Sequence, residues 1–551
     1  GEFTLDFGDY DVRITVPADH IVASTGELQN MMEVLTKEQI DRYKKSRSAS
    51  SPMIIISQDE AIINEKSRSK KVKTWRYKAK NVRDFAFTSS RKFIWDAMGV
   101  KLGDRTVMAM SYYPKEANPL YERYSTRAVA HTLNVYSKYT FDYPYPVAIS
   151  VEAANGMEYP MICFNYGRPQ KDGTYSERIK YGMISVIIHE VGHNYFPMIV
   201  NSDERQWTWM DEGLNSYLQF LAEQEWDRDY PSRRGPAKNI VNYMKSDKKN
   251  LMPIMTNSES IYQFGNNAYG KPATALNILR ETIVGRELFD FAFKEYSKTW
   301  MFKHPTPSDF FRILENASAV DLDWFWRGWF YSTDPVDISI DEVKWYTLDT
   351  RNPEVEFPLK KLDEENEPTQ SWEEKNRIEI QETIVEIDEE ANDFYNKYDP
   401  YEVTILDMDD FIKYRDSSVV EPQEKRIYNS NLNYYEIKFS NVGGLVMPII
   451  LELQYEDSTN YIIRIPAEIW RKNRDQITKV FATKKLVKSF NLDPQLETAD
   501  INLINNNWPR KTIKSKFELY KNKKNNRWKN FKENKMQRYN RLKKMEKSTK
   551  E

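Results

Sequence analysis

The sequence is short of cysteine, of net charge and of long apolar segments, and each shortage excludes a class of structure or partner. Cys163 is the only cysteine, so no disulfide can form within the chain. The formal net charge of -2 favours neither nucleic acid nor an acidic membrane surface as a partner. No apolar run approaches the ~20 residues that a membrane-spanning helix needs. We therefore expect no nucleic-acid partner and no integral membrane segment.

Length and composition indicate a multidomain globular protein. A chain of 551 residues is too long for a single hydrophobic core. Its 40% hydrophobic and 29% charged residues are typical of a soluble protein. The chain opens on Gly1, and the strand pattern of Val12, Ile14 and Val16 follows almost at once. We expect that this beginning is interrupted, because a strand pattern starts with almost nothing before it.

The most informative stretch is a histidine motif followed by a glutamate. Residues 189–193 read HEVGH, and Glu212 follows after a further 18 residues. Side chains four residues apart lie on one face of a helix, so His189 and His193 can direct their imidazole nitrogens at a single ion. A catalytic zinc ion takes three protein ligands and keeps a fourth position for water. Glu212 supplies the third ligand if a second helix brings it back to the first.

The neighbouring pattern predicts that helix pair. Apolar residues at helical spacing predict a first helix over residues 178–196. Pro197 and the turn-forming residues 201–203 then end it, and a second helical pattern begins at Trp209. Two antiparallel helices would place the three candidate ligands on facing sides.

Glu190 lies between the two histidines, but about 100° round the helix from His189, so it does not point at the same ion. It can accept the proton of a metal-activated water and return it to a leaving nitrogen, which is the chemistry of peptide hydrolysis. A histidine motif alone occurs by chance in many soluble helices, and the added glutamate makes it specific. The remaining histidines are predicted to be surface or packing residues: His20, His131 and His304.

Together these residues resemble the gluzincin aminopeptidases, the aminopeptidase N family. Glu212 lies in the segment WMDEG, which is similar to the family's W-x-[ND]-E-G. Upstream, residues 155–160 (NGMEYP) are similar to the Gly-Ala-Met-Glu-Asn exopeptidase signature. Downstream, residues 269–273 (YGKPA) resemble the Tyr-x-Lys-Gly-Ala segment. Three motifs in the family's order are more specific than any one of them.

The resemblance implies a metal and a base. It implies one zinc ion per chain, held by His189, His193 and Glu212. It also implies that Glu190 is the general base and acid of the reaction.

The resemblance further implies how a peptide is bound. In the family the glutamate that matches Glu158 binds the free α-amino group of the substrate, which is why the enzyme trims chain ends. Gly156 and Met157 belong to the same substrate-binding segment. Residues 147–152 are predicted to form a strand whose backbone could pair with an extended peptide. The tyrosine that matches Tyr269 donates a hydrogen bond to the oxyanion of the reacting carbonyl.

The sequence departs from the family pattern at several points. Asn155 and Tyr159 replace the first Gly and the last Asn of the exopeptidase signature, and Pro272 replaces a Gly. Pro197-Met198 stand where the family has Gly-Asn. These changes alter the predicted path of the substrate strand but remove no proposed ligand, base or amine anchor. Gln219 replaces a carboxylate that often steadies a ligand histidine, and its amide oxygen could accept from an imidazole N–H.

We predict a multidomain α+β protein, in which a thermolysin-like, mostly helical zinc peptidase domain is flanked by an N-terminal β-rich lobe and a C-terminal β-sandwich. The predicted regions are a partial lobe at 1–97, the catalytic domain at 98–333, a strand with a charged linker or insertion at 334–430, the sandwich at 431–520 and a basic tail at 521–551. The tail is interpreted as a solvated terminus, with attachment to an anionic surface as the alternative.

The predicted function is that of a zinc-dependent aminopeptidase, which hydrolyses the N-terminal bond of peptides through a metal-activated water. Its partners would be peptides with a free N-terminus. A thermolysin-like endopeptidase, in which Glu158 has no role, and a non-catalytic peptide-binding scaffold are the alternatives. We expect an exported protein, periplasmic or secreted, in preference to a cytoplasmic one, and the sequence leaves the oligomeric state open.

Overall fold

The computed structural model describes residues 4–512 and 533–548. Within these residues the chain forms strands that are numbered here in chain order. They are β1 (Gly8–Pro17), β2 (Ile21–Ser24), β3 (Glu27–Leu28), β4 (Met53–Ile56), β5 (Val72–Val82), β6 (Phe87–Ser90), β7 (Ile94–Leu102), β8 (Arg105–Tyr113), β9 (Val147–Glu152), β10 (Met157–Tyr159), β11 (Ile162–Asn165), β12 (Ile338–Tyr346), β13 (Asn433–Asn441), β14 (Ile449–Tyr455), β15 (Asn460–Ile465), β16 (Gln476–Thr483), β17 (Val487–Leu492) and β18 (Asn507–Trp508).

Most of the helices lie between strands β11 and β13 in the sequence. Three short π-helical turns, at Trp209–Gly213, Gly265–Gly270 and Leu279–Ile283, lie among them. The α-helices are α1 (Met31–Val34), α2 (Lys37–Ser46), α3 (Gln58–Ser67), α4 (Leu120–Tyr139), α5 (Glu177–Gly192), α6 (Leu214–Trp226), α7 (Ala237–Met244), α8 (Lys271–Ile278), α9 (Arg286–Thr299), α10 (Pro307–Ser318), α11 (Asp323–Trp329), α12 (Pro353–Glu365), α13 (Ser371–Glu379), α14 (Ile384–Ile387), α15 (Phe394–Lys397), α16 (Ile405–Ser418), α17 (Pro422–Tyr428) and α18 (Lys535–Ser548).

The largest sheet among the described residues has six strands, in the order β10-β11-β9-β8-β7-β4. Strands β11, β9 and β8 are parallel to one another, and β10, β7 and β4 are antiparallel to their neighbours. Helices α4 and α5 pack against it, so every residue of β9 is buried. Strand β7 runs through residue 98, and the predicted domain boundary there stays a prediction. Strand β10 is one edge of this sheet.

The N-terminal strands form two small sheets, in the orders β1-β5-β3 and β2-β6. Trp75 and Tyr77 alternate with exposed residues along β5 and are buried, as expected for a strand with one face on the core. This lobe is joined to the six-stranded sheet by buried polar contacts. Thr25 Oγ1 donates to the carbonyl of Pro160 at 2.8 Å, in the turn between β10 and β11.

The C-terminal strands form two further sheets, β12-β13-β16 and β15-β14-β17-β18. β12 and β13 are antiparallel partners, with Ile338 opposite Asn441, although helices α12–α17 separate them in the sequence. The charged segment predicted as a linker or insertion is therefore an insertion between two neighbouring strands, and it is helical and mostly exposed. The predicted multidomain α+β fold, with β-rich regions on both sides of a helical middle, is confirmed.

The predicted basic tail lies partly outside the described residues, which omit 521–532 and 549–551. The tail residues that are described are mostly exposed, and a few of them contact the rest of the chain. Just before α18, Asn534 Nδ2 donates to Thr174 Oγ1 at 3.0 Å, and Lys535 lies 2.9 Å from the carboxylate of Glu177. Helix α18 thus contacts the loop that leads into α5. A helix both long and apolar enough to cross a membrane is absent from the described parts of the chain.

Candidate metal centre

Helix α5 carries the first two candidate ligands. Ser176 caps its N-terminus by accepting a hydrogen bond from the Ile179 N–H at 3.3 Å. The helix ends at Gly192, four residues before the predicted end at Phe196. Because the chain leaves the helix there, the carbonyl oxygen of Phe196 turns back to lie 2.9 Å from His193 Nδ1. The earlier end therefore provides an acceptor that orients His193.

Three helices approach closely behind the ligands. A Cβ built on Gly192 would lie 2.3 Å from both Tyr136 OH and Asn215 Oδ1, so only glycine fits. Tyr136 of α4 donates to Asn215 Oδ1 at 2.8 Å, and Asn215 Nδ2 of α6 donates to the carbonyl of His189 at 2.8 Å. These bonds fix α6 against α5, and they hold the segment before α6 opposite the histidines.

The third candidate ligand, Glu212, lies in the π-helical turn Trp209–Gly213 just before α6. Such turns interrupt regular helices at many functional sites. Gly213 permits a close contact there, since a Cβ on it would lie 2.6 Å from Pro272 Cγ. A second π-helical turn, Gly265–Gly270, carries Tyr269. The helical structure is therefore irregular at Glu212 and at Tyr269, two of the residues predicted to act in the site.

The three candidate ligands converge on one point. Nε2 of His189 lies 3.0 Å from Oε2 of Glu212 and 3.1 Å from Nε2 of His193. Nε2 of His193 lies 3.3 Å from the same carboxylate oxygen. All three side chains are buried. The structure thus brings together the residues that the sequence motif predicts as ligands.

The outer nitrogen of His189 has a fixed acceptor. Its Nδ1 lies 2.9 Å from Oε1 of Gln219, and the amide is held in that orientation because its Nε2 donates to Glu223 Oε1 at 2.8 Å. We assign the ring proton to Nδ1 because an amide oxygen can only accept. The Nε2 atom then presents its lone pair to the other ligands. The proposed steadying role of Gln219 has the geometry that it needs.

His193 is oriented in the same way from the other side. Its Nδ1 lies 2.9 Å from the Phe196 carbonyl and 2.8 Å from Oδ1 of Asp211, both acceptors. Burial, then the neighbouring His193, lowers the pKa of His189 to about 4. Burial also disfavours a charge on His193, but Glu158 and the other nearby carboxylates outweigh it and raise its pKa. Nε2 of His189, Nε2 of His193 and Oε2 of Glu212 form a triangle, named here the ligand triangle. The surroundings favour positive charge at its centre.

The donor set fits a zinc ion. Two imidazole lone pairs and one carboxylate oxygen, separated by 3.0–3.3 Å, repel one another unless a cation lies between them. A tetrahedral ion with bonds of ~2.0–2.1 Å would have its ligands ~3.3 Å apart. Nitrogen ligands with one carboxylate suit zinc better than calcium or magnesium, which prefer oxygen.

Glu158 lies on β10, beside the ligand triangle. The end of the β10-β11 hairpin is fixed by Asn194, whose Oδ1 accepts from the Met161 N–H at 2.7 Å. Residues 147–152 do form the predicted strand, but β9 is paired on both sides, with β8 and with β11, so it cannot add a peptide strand. The expectation that this strand pairs with substrate is wrong. In the described sheet, the strand nearest the site that has a neighbour on one side only is β10.

Glu190 lies against this hairpin and not among the ligands. Polar atoms of Glu158, Glu190 and His193 all lie within 4.8 Å of one another. Burial, reinforced by the carboxylate of Glu158, raises the pKa of Glu190. Gly156 faces Glu190 directly, and Met157 is half-buried on β10. The predicted base and the predicted substrate-binding segment are neighbours.

A further group of buried carboxylates lies behind Glu158. Polar atoms of Glu158, Glu204 and Asp211 lie within 4.8 Å of one another. Arg83, also buried, places Nη2 2.7 Å from Glu204 Oε1. Arg83, Glu204 and Asp211 were not predicted from the sequence as residues of the site. Asp211 precedes the zinc glutamate in its motif and could have been noticed, whereas Arg83 and Glu204 are 121 residues apart and no local pattern connects them.

Tyr269 reaches the ligands from the second π-helical turn. Its hydroxyl donates to Oε1 of Glu212 at 2.6 Å, the carboxylate oxygen that does not face the histidines. The ring stacks on His189 with 5.7 Å between centroids. Burial, and then the Glu212 carboxylate, raises the pKa of the phenol, so it remains a neutral donor. In the predicted oxyanion role, the hydroxyl would exchange this acceptor for a substrate oxygen.

A cavity of about 670 Å³ opens beside the ligands. This volume lies in the range of small-molecule sites. His189, Glu190 and Tyr269 line one end, and Arg178 and Arg234 lie among the residues of its other walls. The site is therefore accessible to a ligand of the size of a short peptide.

The buried donor set, the adjacent carboxylate and the α+β fold are those of a zinc metallopeptidase. Residues 124–329 match the family model described as "Peptidase family M1 domain", so the chain carries a domain of that family. This match agrees with the predicted resemblance to the aminopeptidase N-like zinc aminopeptidases.

The chain is also similar to known aminopeptidases, at limited identity. It is 25% identical to glutamyl aminopeptidase of Bos taurus over 171 residues, which cover 30% of this chain and 18% of the relative. It is 26% identical to probable aminopeptidase 1 of Sulfurisphaera tokodaii over 235 residues, which cover 39% of this chain and 29% of the relative. The match thus spans less than a third of each relative.

A solved structure extends the likeness in fold. The crystal structure of Legionella pneumophila aminopeptidase A in complex with aspartic acid aligns with 90% of this chain and 44% of that chain, with a TM-score of 0.52 and 12% identity. At this identity the likeness concerns the fold alone. It agrees with the predicted multidomain architecture.

Proposed function

We propose that the chain is a zinc-dependent aminopeptidase that hydrolyses the N-terminal peptide bond of peptides. His189, His193 and Glu212 would hold one zinc ion per chain. Bound there, zinc would supply a Lewis acid and a water activated for attack on a peptide carbonyl. The remaining groups of the reaction would come from the side chains around the triangle.

The closeness of the three candidate ligands carries this proposal. Nε2 of His189, Nε2 of His193 and Oε2 of Glu212 are buried and lie 3.0–3.3 Å from one another, which is close to the spacing of ligands around one zinc ion. Glu158 and Glu190 lie beside them, where a carboxylate suits the ammonium group of a peptide N-terminus.

Each residue then has a definite task. Glu158 would pair with the substrate ammonium and so place the first peptide bond over the triangle. Glu190 would take a proton from the attacking water and return it to the leaving nitrogen. Tyr269 would donate its hydroxyl to the oxygen of the reacting carbonyl, where negative charge develops.

Metal analysis combined with an activity assay tests the proposal. The purified chain is expected to contain zinc near one equivalent, as measured by mass spectrometry of the metal. It should release the chromophore of an aminoacyl anilide, and a chelator should stop the release until zinc is restored. Zinc without any turnover, across a panel of first residues, would contradict the catalytic assignment and favour a binding scaffold.

A blocked N-terminus separates exopeptidase from endopeptidase action. Acetylation removes the ammonium that Glu158 is proposed to bind, so an acetylated peptide should not be cleaved while its free counterpart loses residues one at a time. Cleavage inside the acetylated peptide would instead show a thermolysin-like endopeptidase. Mass spectrometry of the products distinguishes the two.

A further inference from the structure

Arg234 stands at the edge of the active-site cavity with most of its hydrogen-bonding capacity unused. Its Nη1 donates to Ser216 Oγ at 3.3 Å, and its guanidinium lies 4.0 Å from the ring centroid of Tyr269. These are the contacts that it makes with described residues, and no described carboxylate forms an ion pair with it within 4.0 Å. A guanidinium has five N–H donors in a planar fork. Several of them are left for a ligand.

Three carboxylates line the cavity with Arg234, namely Glu177, Glu190 and Glu223, and none of them forms an ion pair with it within 4.0 Å. Glu177 is exposed at the rim and pairs with Lys535. Glu223 accepts from Ser185 at 2.7 Å and from Gln219 at 2.8 Å, and burial raises its pKa. Neither carboxylate forms an ion pair with the arginine. Burial lowers the pKa of the Arg234 guanidinium, and the nearby Tyr269, Glu212 and Glu223 offset only part of the cost of desolvating this cation.

Two more arginines extend the positive charge along the wall. Arg178, near the start of α5, and Arg233, beside Arg234, both line the cavity and are exposed. Neither forms an ion pair with a described residue within 4.0 Å. Three guanidinium groups therefore face a common space that begins at the ligand triangle. Planar, bidentate donors of this kind are the usual partners of carboxylates.

We infer that Arg234, with Arg178 and Arg233 beside it, forms a carboxylate-binding subsite for the part of the substrate that leaves. This rests on the proposed function: Glu158, which does not line the cavity, would hold the amino end, so the chain beyond the first peptide bond enters the cavity. Tyr269 links the two ends, since it contacts both Glu212 and Arg234. The carboxylate belongs either to the C-terminus of a dipeptide or to an acidic second side chain.

Matched substrates distinguish the two sources. Alanyl-alanine is compared with alanyl-alaninamide for the C-terminal carboxylate, and alanyl-glutamyl amide with alanyl-glutaminyl amide for the side chain. With the zinc-loaded full chain, we expect kcat/KM to favour the acid by at least about tenfold in one of the pairs, as a charge-assisted hydrogen bond provides. Ratios near one in both pairs would overturn the subsite while leaving the peptidase activity intact.

Variants assign the preference to a residue. Arg234→Met keeps apolar cover over the Tyr269 ring and removes the charge, so the preference for the acid should fall to near one, even if both rates fall together. Arg228→Ala, an exposed arginine in the preceding turn that does not line the cavity, should retain the ratio. An unchanged ratio in Arg234→Met would overturn the assignment.

A binding experiment covers the case in which no substrate is turned over. Calorimetry of the same four peptides with the Glu190→Gln protein measures affinity without hydrolysis. Tighter binding of the acid by at least about tenfold supports the subsite even if the proposed peptidase function fails. Equal affinities for acid and amide in both pairs would overturn it whether or not the wild-type chain is active.

Discussion

Gly156 lies so close to Glu190 that a Cβ built on the glycine would be 2.2 Å from Glu190 Oε1. The same Cβ would lie 3.1 Å from Val186 Cγ2, so the added carbon has no space on either side. Gly156, in the segment before β10, is therefore in direct contact with Val186 and Glu190 of α5. The position of the proposed base depends on the absence of a side chain there.

We expect Gly156→Ala to reduce kcat/KM on the order of 10²-fold, because a base displaced by about 1 Å loses its alignment with the reacting water. Zinc content should stay at the wild-type level, since the three ligands are elsewhere. Gly8→Ala is the control, because nothing lies within 4 Å of a Cβ at that position and Gly8 does not line the cavity. Wild-type kcat/KM in Gly156→Ala would show that Glu190 can move without loss.

Glu190→Gln separates metal binding from proton transfer. Glu190 is not part of the ligand triangle, so the variant should keep its zinc, while the loss of the base should lower kcat by at least roughly 10²-fold. Metal content and steady-state kinetics are measured on the same preparation. Full activity in a zinc-loaded variant would remove Glu190 from the role of base.

Gln219 is expected to support zinc affinity through His189. Gln219→Ala removes the acceptor of Nδ1–H, and loss of such an outer partner costs roughly 10- to 100-fold in metal affinity. Zinc affinity is measured by competition with a chelating dye. The paired change Gln219→Glu with Glu223→Gln exchanges the carboxylate and the amide, so it keeps an acceptor for His189 and should restore most of the affinity. Equal loss in the single and paired variants would contradict this explanation.

The closeness of the candidate ligands and of Glu190 was predictable from sequence, because these residues occur in short motifs. His189, Glu190 and His193 lie within five residues on one helix, and helical geometry alone places the histidines together. Tyr269 has no such local signal and was found only through the family resemblance. The end of the helix at Gly192 was missed, because the turn that follows is fixed by a contact of His193 and not by a breaking residue.

The carboxylate group around Glu158 was less predictable. Arg83 comes from the N-terminal lobe, and its pairing with Glu204 depends on how two separate regions pack. The strand that offers an edge to a peptide was likewise misjudged. Alternation within β9 predicts a strand, but pairing on both sides is a property of the whole sheet, and it leaves β10 at the edge.

Asp96 makes the stability of the fold depend on pH. It is buried on β7, accepts a hydrogen bond from Tyr113 OH at 2.6 Å, and is also bonded to Thr126. Burial raises its pKa from 3.8 to about 7. Between about pH 4 and pH 7 the folded state keeps this proton and the unfolded state loses it. The free energy of unfolding therefore falls as the pH rises through this range, by about 4 kcal/mol in total.

Asp96→Asn should remove this dependence, because an amide does not titrate. Thermal unfolding of the metal-free protein, measured between pH 4.5 and pH 7 in the presence of a chelator, gives the slope without a contribution from the metal site. We expect the midpoint of the wild-type chain to fall over this range more than that of the variant. Parallel curves for the two proteins would show that Asp96 is ionised in the fold.

Arg83 is expected to hold the acidic side of the site together. Arg83→Met leaves Glu204 buried without its cation, next to Glu158 and Asp211, and breaking a buried pair in this way costs about 3–5 kcal/mol. Adding Glu204→Gln removes the uncompensated charge, so the double variant should recover most of the lost stability in urea unfolding. If it is no more stable than Arg83→Met, the role of Arg83 is packing and not charge compensation. Because Glu158 remains in both variants, recovery of KM together with stability would further show that Arg83 acts through the fold of the site and not on the substrate.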